Sequence, residues 1–252
     1  MIVGVSGAGG RIGRLVAETI LAADDLELGL LYDPPHAGEE LAGGSIGDDA
    51  AAMENADVVV EVTHPDVVME NLDTWRQLDV HAVVGTSGFD EVRIGEVEDQ
   101  WGAGPPNCLI VPNFSIGGVT AMRLAEAAAP FFAAAEVIEL HHDRKADAPS
   151  GTAMTTAERI AAAAEQHRDV ESAELVAGAR GADIAGVPVH AVRLPGVIAD
   201  QMVFFGGVGE TLTIRHTTTD RSVFMPGVLA AVRGVADLAE PVSVGLEAVL
   251  DL

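Results

Sequence analysis

Apolar runs alternate with helical stripes along the first half of the chain. Residues 2–6, Ile-Val-Gly-Val-Ser, read as a short apolar strand, a glycine-rich turn fills 7–13, and RLVAETILAA follows with helical spacing. The next apolar run, LELGLLY, ends at Asp33. A polar, glycine-rich loop is expected over 34–49, then a short helix leading into ADVVVEVTHPD at 56–66. There Val58-Val59-Val60 has the continuous apolar character of a strand buried on both faces. A helix around 66–78, the strand run VHAVVGTSGF, an amphipathic helix at about 90–101 and the run CLIVPNFSIGG complete the series. Five strands alternating with helices predict a Rossmann-type, doubly wound parallel sheet, so the fold class is α/β.

The pattern is helical from Gly117 to Ala134, and AAEVIELHH then opens a different region. A helix is expected from near Gly151 to about His167. Four short runs follow, AELVA, VPVHAVRLP, QMVFFGG and ETLTIRH, separated by Gly and Pro but not by helices. Consecutive strands of this kind predict a second, α+β domain with a mostly antiparallel sheet. The last long segment, PGVLAAVRGVADLA, is helical. The expected domains are 1–115 with 223–252, and 116–222.

Composition narrows the class. A hydrophobic content of 48% over 252 residues marks a globular chain. No apolar run approaches the roughly 20 residues of a membrane helix, and the chain begins inside a strand pattern, so a soluble, cytoplasmic protein is expected. Cys108, the single cysteine, lies in an apolar run and reads as a core residue. With 39 acidic against 14 basic residues the formal net charge is −25, a surface that repels nucleic acid and anionic membranes. Self-repulsion of that size is screened at molar salt, where the Debye length is about 3 Å, so the chain reads as salt-adapted (halophilic).

Two stretches carry chemistry. The first is the strand, glycine turn and helix at the N-terminus, the opening of a dinucleotide-binding unit. Gly7 and Gly9 fit GxGxxG, whereas the third glycine, Gly13, comes one residue late. Asp33 stands 20 residues past Gly13, where a carboxylate would bind the ribose hydroxyls of NAD. The second stretch is ELHHDRKADAPSGTA at 139–153. It sets two imidazoles, a cation and a helix N-terminus within a few residues, an arrangement suited to an anionic ligand and to proton donation. Lys145 is the only lysine in the chain; the other basic residues are all Arg, which cannot release a proton at working pH. Adjacent histidines also raise a metal site, but no third ligand stands at metal-like spacing and Lys145 would repel a cation, so no metal is expected.

This second stretch resembles the signature Glu-x-His-His-x-x-Lys-x-Asp-Ala-Pro-Ser-Gly-Thr-Ala of the 4-hydroxy-tetrahydrodipicolinate (dihydrodipicolinate) reductase family. It matches at Glu139, His141, His142, Lys145, Asp147, Ala148, Pro149, Ser150, Gly151, Thr152 and Ala153. The family's glycine loop, Gly-x-Gly-Gly-Arg-Met-Gly, differs from this one only at Ile12. Its Gly-Thr-Thr-Gly is matched by Gly85-Thr86-Ser87-Gly88, and its Pro-Asn-Phe-Ser-Ile-Gly by the run from Pro112.

The resemblance implies NAD(P)H-dependent reduction of a cyclic imine dicarboxylate in diaminopimelate and lysine biosynthesis, with 116–222 binding substrate and forming the subunit contacts of a homotetramer. His141 and Lys145 are the implied catalytic residues, and His142, Gly151 and Thr152 the substrate-binding ones. The implied cofactor contacts are Gly7, Ala8, Gly9, Gly10, Arg11, Ile12 and Asp33, then Gly85, Thr86, Ser87, Val111, Pro112, Asn113 and Phe114. Many members carry an Arg after the acidic residue, where this chain has Pro34. Asp33 would repel a 2′-phosphate, so NADH is expected to be favoured over NADPH, with Arg11 as the one nearby cation for the latter.

Three departures stand out. Glu61-Val62-Thr63-His64-Pro65 replaces Asp-Phe-Thr-x-Pro, and His64 reads as a loop residue. Ala199-Asp200-Gln201 replaces Gly-Glu-His and is expected to lie mostly away from the substrate residues. The loop preceding it is short. Two rival readings remain at this level: an aspartate-type amino-acid dehydrogenase with ammonia-dependent turnover, and a regulator that senses NAD(H) without chemistry.

Overall fold

In the computed structural model, which describes residues 1–164, 168, 172–250 and 252, the chain divides into two units. One is Met1–Ser115 with Phe224–Asp251, and the other is Ile116–Val223.

In the first unit β1 (Ile2–Ser6) leads through the glycine turn into α1 (Arg11–Leu21) and β2 (Glu27–Tyr32). The loop expected at 34–49 is partly ordered. It holds a 3-10 turn at Pro34–His36 and a small hairpin of β3 (Glu40–Leu41) and β4 (Gly44–Ser45). Then come β5 (Val58–Glu61), α2 (Val68–Gln77), β6 (His81–Val84), α3 (Glu91–Trp101) and β7 (Cys108–Ile110). Each helix buries a stripe at helical spacing: Val16, Ala17 and Ile20 on α1, Val68, Leu72 and Trp75 on α2, Val97 and Trp101 on α3. Asp90 caps α3 by accepting from the Arg93 N–H at 2.9 Å.

The second unit opens with α4 (Ile116–Ala128), which gives way to a 3-10 turn at Ala129–Phe131, where Pro130 ends the helix expected to reach Ala134. It continues with β8 (Ala134–His141), α5 (Gly151–Ala163), β9 (Ala182–Ile184), β10 (Val187–Arg193), β11 (Ala199–Gly207) and β12 (Glu210–Thr218). The expected reach of α5 to His167 falls on 165–167, outside the described residues.

AELVA is not a strand. The Glu174 carboxylate accepts from the backbone N–H of Gly178 and of Arg180 (3.0 and 3.1 Å), and the Ala179 N–H donates to the Val176 carbonyl, closing a turn that leaves Leu175 96% exposed. The sheet order is β12-β11-β8-β10-β9, antiparallel except for β8 beside β10. Val137, Val189, Val203 and Phe205 meet Ala153, Ala157 and Ile160 of α5 and Ala125 of α4 in the core. The alternate residues Ile138, Leu140, Met202 and Phe204 fall on the opposite face and stay half-buried or exposed.

The chain then returns to the first unit through α6 (Met225–Gly234) and β13 (Val242–Val244). Short as it is, β13 pairs in parallel with β7 and makes a sixth strand where five were expected. The order β13-β7-β6-β5-β1-β2 is parallel throughout and reverses direction at β1. Ligands bind at such a reversal, beyond the carboxyl ends of the strands, and Gly7 and Val62 follow the two strands that flank it.

Candidate active site

In the first unit the glycine positions are set by close backbone approach. Gly7 has φ +82°, and a Cβ there would lie 2.6 Å from the Val62 carbonyl oxygen. Gly13, the glycine that comes late, lies inside α1, where a Cβ would stand 2.1 Å from the Gly7 carbonyl oxygen. It therefore lets the helix close onto the turn. The Gly10 N–H donates to Gly7 O at 3.1 Å, and no side chain caps α1. Its first-turn amides, beginning at Arg11 and Ile12, are donors for an anion beside the buried Ala8.

Asp33 follows β2 with its carboxylate at this turn, and its Oδ2 accepts from the Gly9 N–H at 2.9 Å. Such a cradle fits a dinucleotide's pyrophosphate and ribose. Arg11 is not the only cation here. Arg14 donates from Nε to the Gly9 carbonyl at 3.0 Å and pairs with Glu39, and the His36 ring lies against Gly9. Helical phase and the 3-10 turn bring these two in, and neither is visible as a spacing motif.

The other proposed cofactor residues meet through Gly85. A Cβ on Gly85 would lie 2.5 Å from Cε2 of Phe114 and 3.1 Å from Cγ1 of Val62, so both side chains press on that backbone. Thr86 is buried and its hydroxyl donates to the Glu61 carbonyl (3.4 Å), while Ser87 is exposed. Val111 is buried, Pro112 exposed, and Asn113 turns its Oδ1 back to the Ser115 N–H at 2.9 Å. Glu61, one carbon longer than the family's Asp, is fully buried. It is held by neutral donors: the Thr63 hydroxyl, Asn71 Nδ2 (3.3 Å) and Trp75 Nε1 (2.9 Å).

In the second unit β8 delivers Glu139 and His141 to the face that packs on α5. The hub is Glu139, with a side chain 1% exposed. Arg193, from β10, grips it bidentately, Nη1 to Oε2 at 2.9 Å and Nη2 to Oε1 at 2.8 Å. The Ser150 N–H adds a bond to Oε1 at 3.1 Å. His141 donates from Nδ1 to Oε2 at 2.5 Å, which fixes its tautomer and leaves Nε2 as the ring atom for a substrate. Burial pushes the Glu139 carboxyl up, but its hydrogen bonds from Arg193 and His141 outweigh that and hold it below the usual carboxylate range.

Lys145 extends from the loop after β8 and donates to both Asp147 oxygens (2.8 and 2.7 Å), which holds the Asp147 carboxyl low. Nδ1 of His142 is buried with no hydrogen-bond partner among the described residues. Ser150 caps α5 by accepting from the Ala153 N–H at 3.2 Å. Gly151 opens α5, and no atom lies within 4 Å of where its Cβ would be, so the fold itself sets no demand for glycine there. Thr152 sits beside it, half-buried at the same helix end. Imidazole, ammonium and helix N-terminus thus lie within one short segment of the second unit, groups able to bind an anion and donate a proton.

Two features went unread in the sequence. Glu139 and Arg193 are 54 residues apart and meet only because β8 and β10 pair in register, Arg193 opposite His141. The segment Ala199-Asp200-Gln201 is not away from the site: Ala199 pairs with His141 and Gln201 with Glu139, and Gln201 Nε2 donates to the Thr156 hydroxyl of α5 at 2.9 Å.

The chain matches two family models, "Dihydrodipicolinate reductase, N-terminus" over residues 1–114 and "Dihydrodipicolinate reductase, C-terminus" over 117–250. It is 49% identical, over the full length of both chains, to a 4-hydroxy-tetrahydrodipicolinate reductase of Mycobacterium sp. (strain JLS). It is 50% identical to one of Nocardia farcinica, covering 99% of this chain and 98% of that one. Among solved structures it is similar to a dipicolinate-bound dihydrodipicolinate reductase from Paenisporosarcina sp. TG-14, with a TM-score of 0.87, 33% identity and 99% of each chain covered.

Proposed function

The chain belongs to the dihydrodipicolinate reductase family, and from that premise we propose that it reduces 4-hydroxy-tetrahydrodipicolinate to tetrahydrodipicolinate, a step of diaminopimelate and lysine biosynthesis. The observation that carries this reading is the Glu139–His141 pair beside Lys145 and the N-terminus of α5, all inside the signature segment. NAD(P)H, when bound, supplies the hydride, and the 4-hydroxyl leaves as water. His141 gives its Nε2 proton to the substrate, with Glu139 holding the imidazole in place. Loss of the hydroxyl as water takes up one proton and releases one from the adjacent ring carbon. The added hydride is matched by one proton returned to the ring, so Lys145 serves as the second donor; in the free protein Asp147 keeps its ammonium positioned. The α5 amides at Gly151 and Thr152 take a substrate carboxylate, and His142 orients the ring.

Asp33 gives NADH the advantage over NADPH, because its carboxylate suits a ribose diol and opposes a 2′-phosphate. The chain assembles as a homotetramer in this reading. The half-exposed apolar face of the second unit's sheet, carrying Ile138, Leu140, Met202 and Phe204, supports a subunit contact there. No helix among the described residues is long and apolar enough to cross a membrane, in keeping with a small dissolved dicarboxylate as substrate.

The test is oxidation of NADH and of NADPH, with substrate generated in place from pyruvate and aspartate semialdehyde by the preceding synthase. Turnover that needs both precursors supports the reading. Turnover that needs ammonia instead would move the assignment to an aspartate-type dehydrogenase, and nucleotide binding without turnover would leave a sensor.

A further inference from the structure

Two prolines set a titratable ring over the glycine turn. Pro34 and Pro35 open the 3-10 turn Pro34–His36 with their restricted φ angles, and the His36 N–H closes it on the Asp33 carbonyl at 2.9 Å. The ring then lies so close to the turn that a Cβ on Gly9 would stand 2.2 Å from His36 Cγ. Nδ1 of His36 is 3.0 Å from Asp33 Oδ2, the same oxygen that accepts the Gly9 N–H. The Asp33 side chain is 12% exposed and the His36 side chain 38%, so the pair is partly shielded but still open to solvent on the histidine side.

Besides Arg11, two other charged side chains stand at this corner. Arg14 of α1 donates to the Gly9 carbonyl, and Glu39, one turn past His36, pairs with Arg14. Those two offset each other. What remains is Asp33, with Arg11 at the start of α1 and the His36 imidazole 3.0 Å from the Asp33 carboxylate. Protonation of His36 therefore adds one positive charge to this corner.

We propose that His36 is a specificity-determining residue for the nucleotide, making the balance between NADPH and NADH depend on pH. With the ring neutral, it does not offset the Asp33 charge, so a ribose diol is favoured over a 2′-phosphate. With the ring protonated, it offsets Asp33 and adds a positive charge that attracts the phosphate, as an Arg does where one follows the acidic residue. The inference rests on the reading of the first unit as an NAD(P)H site.

The experiment measures Kd for NADH and for NADPH by calorimetry, at fixed ionic strength from about pH 6.5 to 8.5, a range in which the 2′-phosphate, with a second ionisation near 6, keeps most of its charge. The wild type is compared with His36→Asn and His36→Arg. In the wild type the ratio Kd(NADPH)/Kd(NADH) should fall at least about fivefold from the alkaline to the acid end, the size of one charge pair at about 4 Å in bulk water. In His36→Asn the ratio should stay high and flat, and in His36→Arg low and flat. The same comparison with 2′,5′-ADP and 5′-AMP should repeat the pattern, because it tests the adenosine end alone. A pH slope that persists in His36→Asn, or a flat wild type, overturns the role of His36 and leaves the NAD(P)H reading intact. No binding of either nucleotide by the folded wild type overturns both.

Discussion

Lys145 and Glu139 do different work within one short segment. Lys145 is paired with an exposed carboxylate, so it is oriented without being sequestered. Lys145→Ala should lower kcat by about 10²–10⁴-fold, the usual size of a lost general acid, while Kd for NADH stays unchanged. Steady-state kinetics and calorimetry on the same preparation check both halves. Glu139 is buried and holds together groups from β8, β10 and the start of α5. Its carboxyl titrates lower in the folded protein than in the unfolded chain. The stability it contributes is therefore complete above the ordinary glutamate range, near pH 4.3, and is lost as pH falls through the lower folded value. Glu139→Gln should cost about 3–5 kcal/mol at pH 7, because Arg193 loses its charged partner in a buried place. Its denaturation midpoint should also fall less steeply with acid than that of the wild type. An equal fall in the urea midpoint between pH 7 and pH 3.5 for variant and wild type would show that the buried pair carries no such load.

At the scale of elements, the same substitution has opposite consequences in two helices. Alanine ordinarily favours a helix over glycine by about 1 kcal/mol. Gly95 lies in the middle of α3 with no atom within 4 Å of a new Cβ, so Gly95→Ala should raise the melting temperature. Gly13 lies in α1 with the Gly7 carbonyl 2.1 Å from that position, and backbone cannot step aside as a side chain can. Gly13→Ala should lower the melting temperature and weaken NADH binding together, since it pushes the helix end away from the turn that would hold the pyrophosphate. Thermal unfolding with and without NADH separates the two variants. If Gly13→Ala behaves like Gly95→Ala, the close approach of α1 to the turn is not what this glycine serves.

At the scale of the whole molecule, a net charge of −25 spread over 252 residues opposes compaction and would oppose the association of like-charged copies into the proposed tetramer. Salt screens both, with a Debye length of about 10 Å at 0.1 M and 3 Å at 1 M. The melting temperature should therefore rise from low salt to molar KCl. In the same titration, light scattering should report the tetramer at the high-salt end and its partial dissociation at the low end. A protein fully folded, tetrameric and active without added salt would mean that its acidic surface serves some purpose other than salt adaptation.

Local periodicity determined most of the first unit. Val58-Val59-Val60 reads as a buried strand because three consecutive valines leave few alternatives, and the glycine turn and the segment from Glu139 to Ala153 are contiguous, so no long-range knowledge was needed to find them. AELVA shows the limit of that reasoning: its composition suits a strand, but Glu174 closes a turn on it instead. The three residues Val242–Val244 are too short to register as a period, and only an open edge beside β7 makes them a strand. The same holds for function. The chemical groups His141, Lys145 and Asp33 were legible because they stand in fixed local order. The partners that orient them were not: Arg193 reaches Glu139 across 54 residues, Gln201 comes alongside it through strand register, and His36 lies on Gly9 through the bend of a proline turn. Local order fixes which residues share an element. Which residues share a site depends on strand pairing and on where a turn aims a ring, and these are decided by the packing of the whole unit.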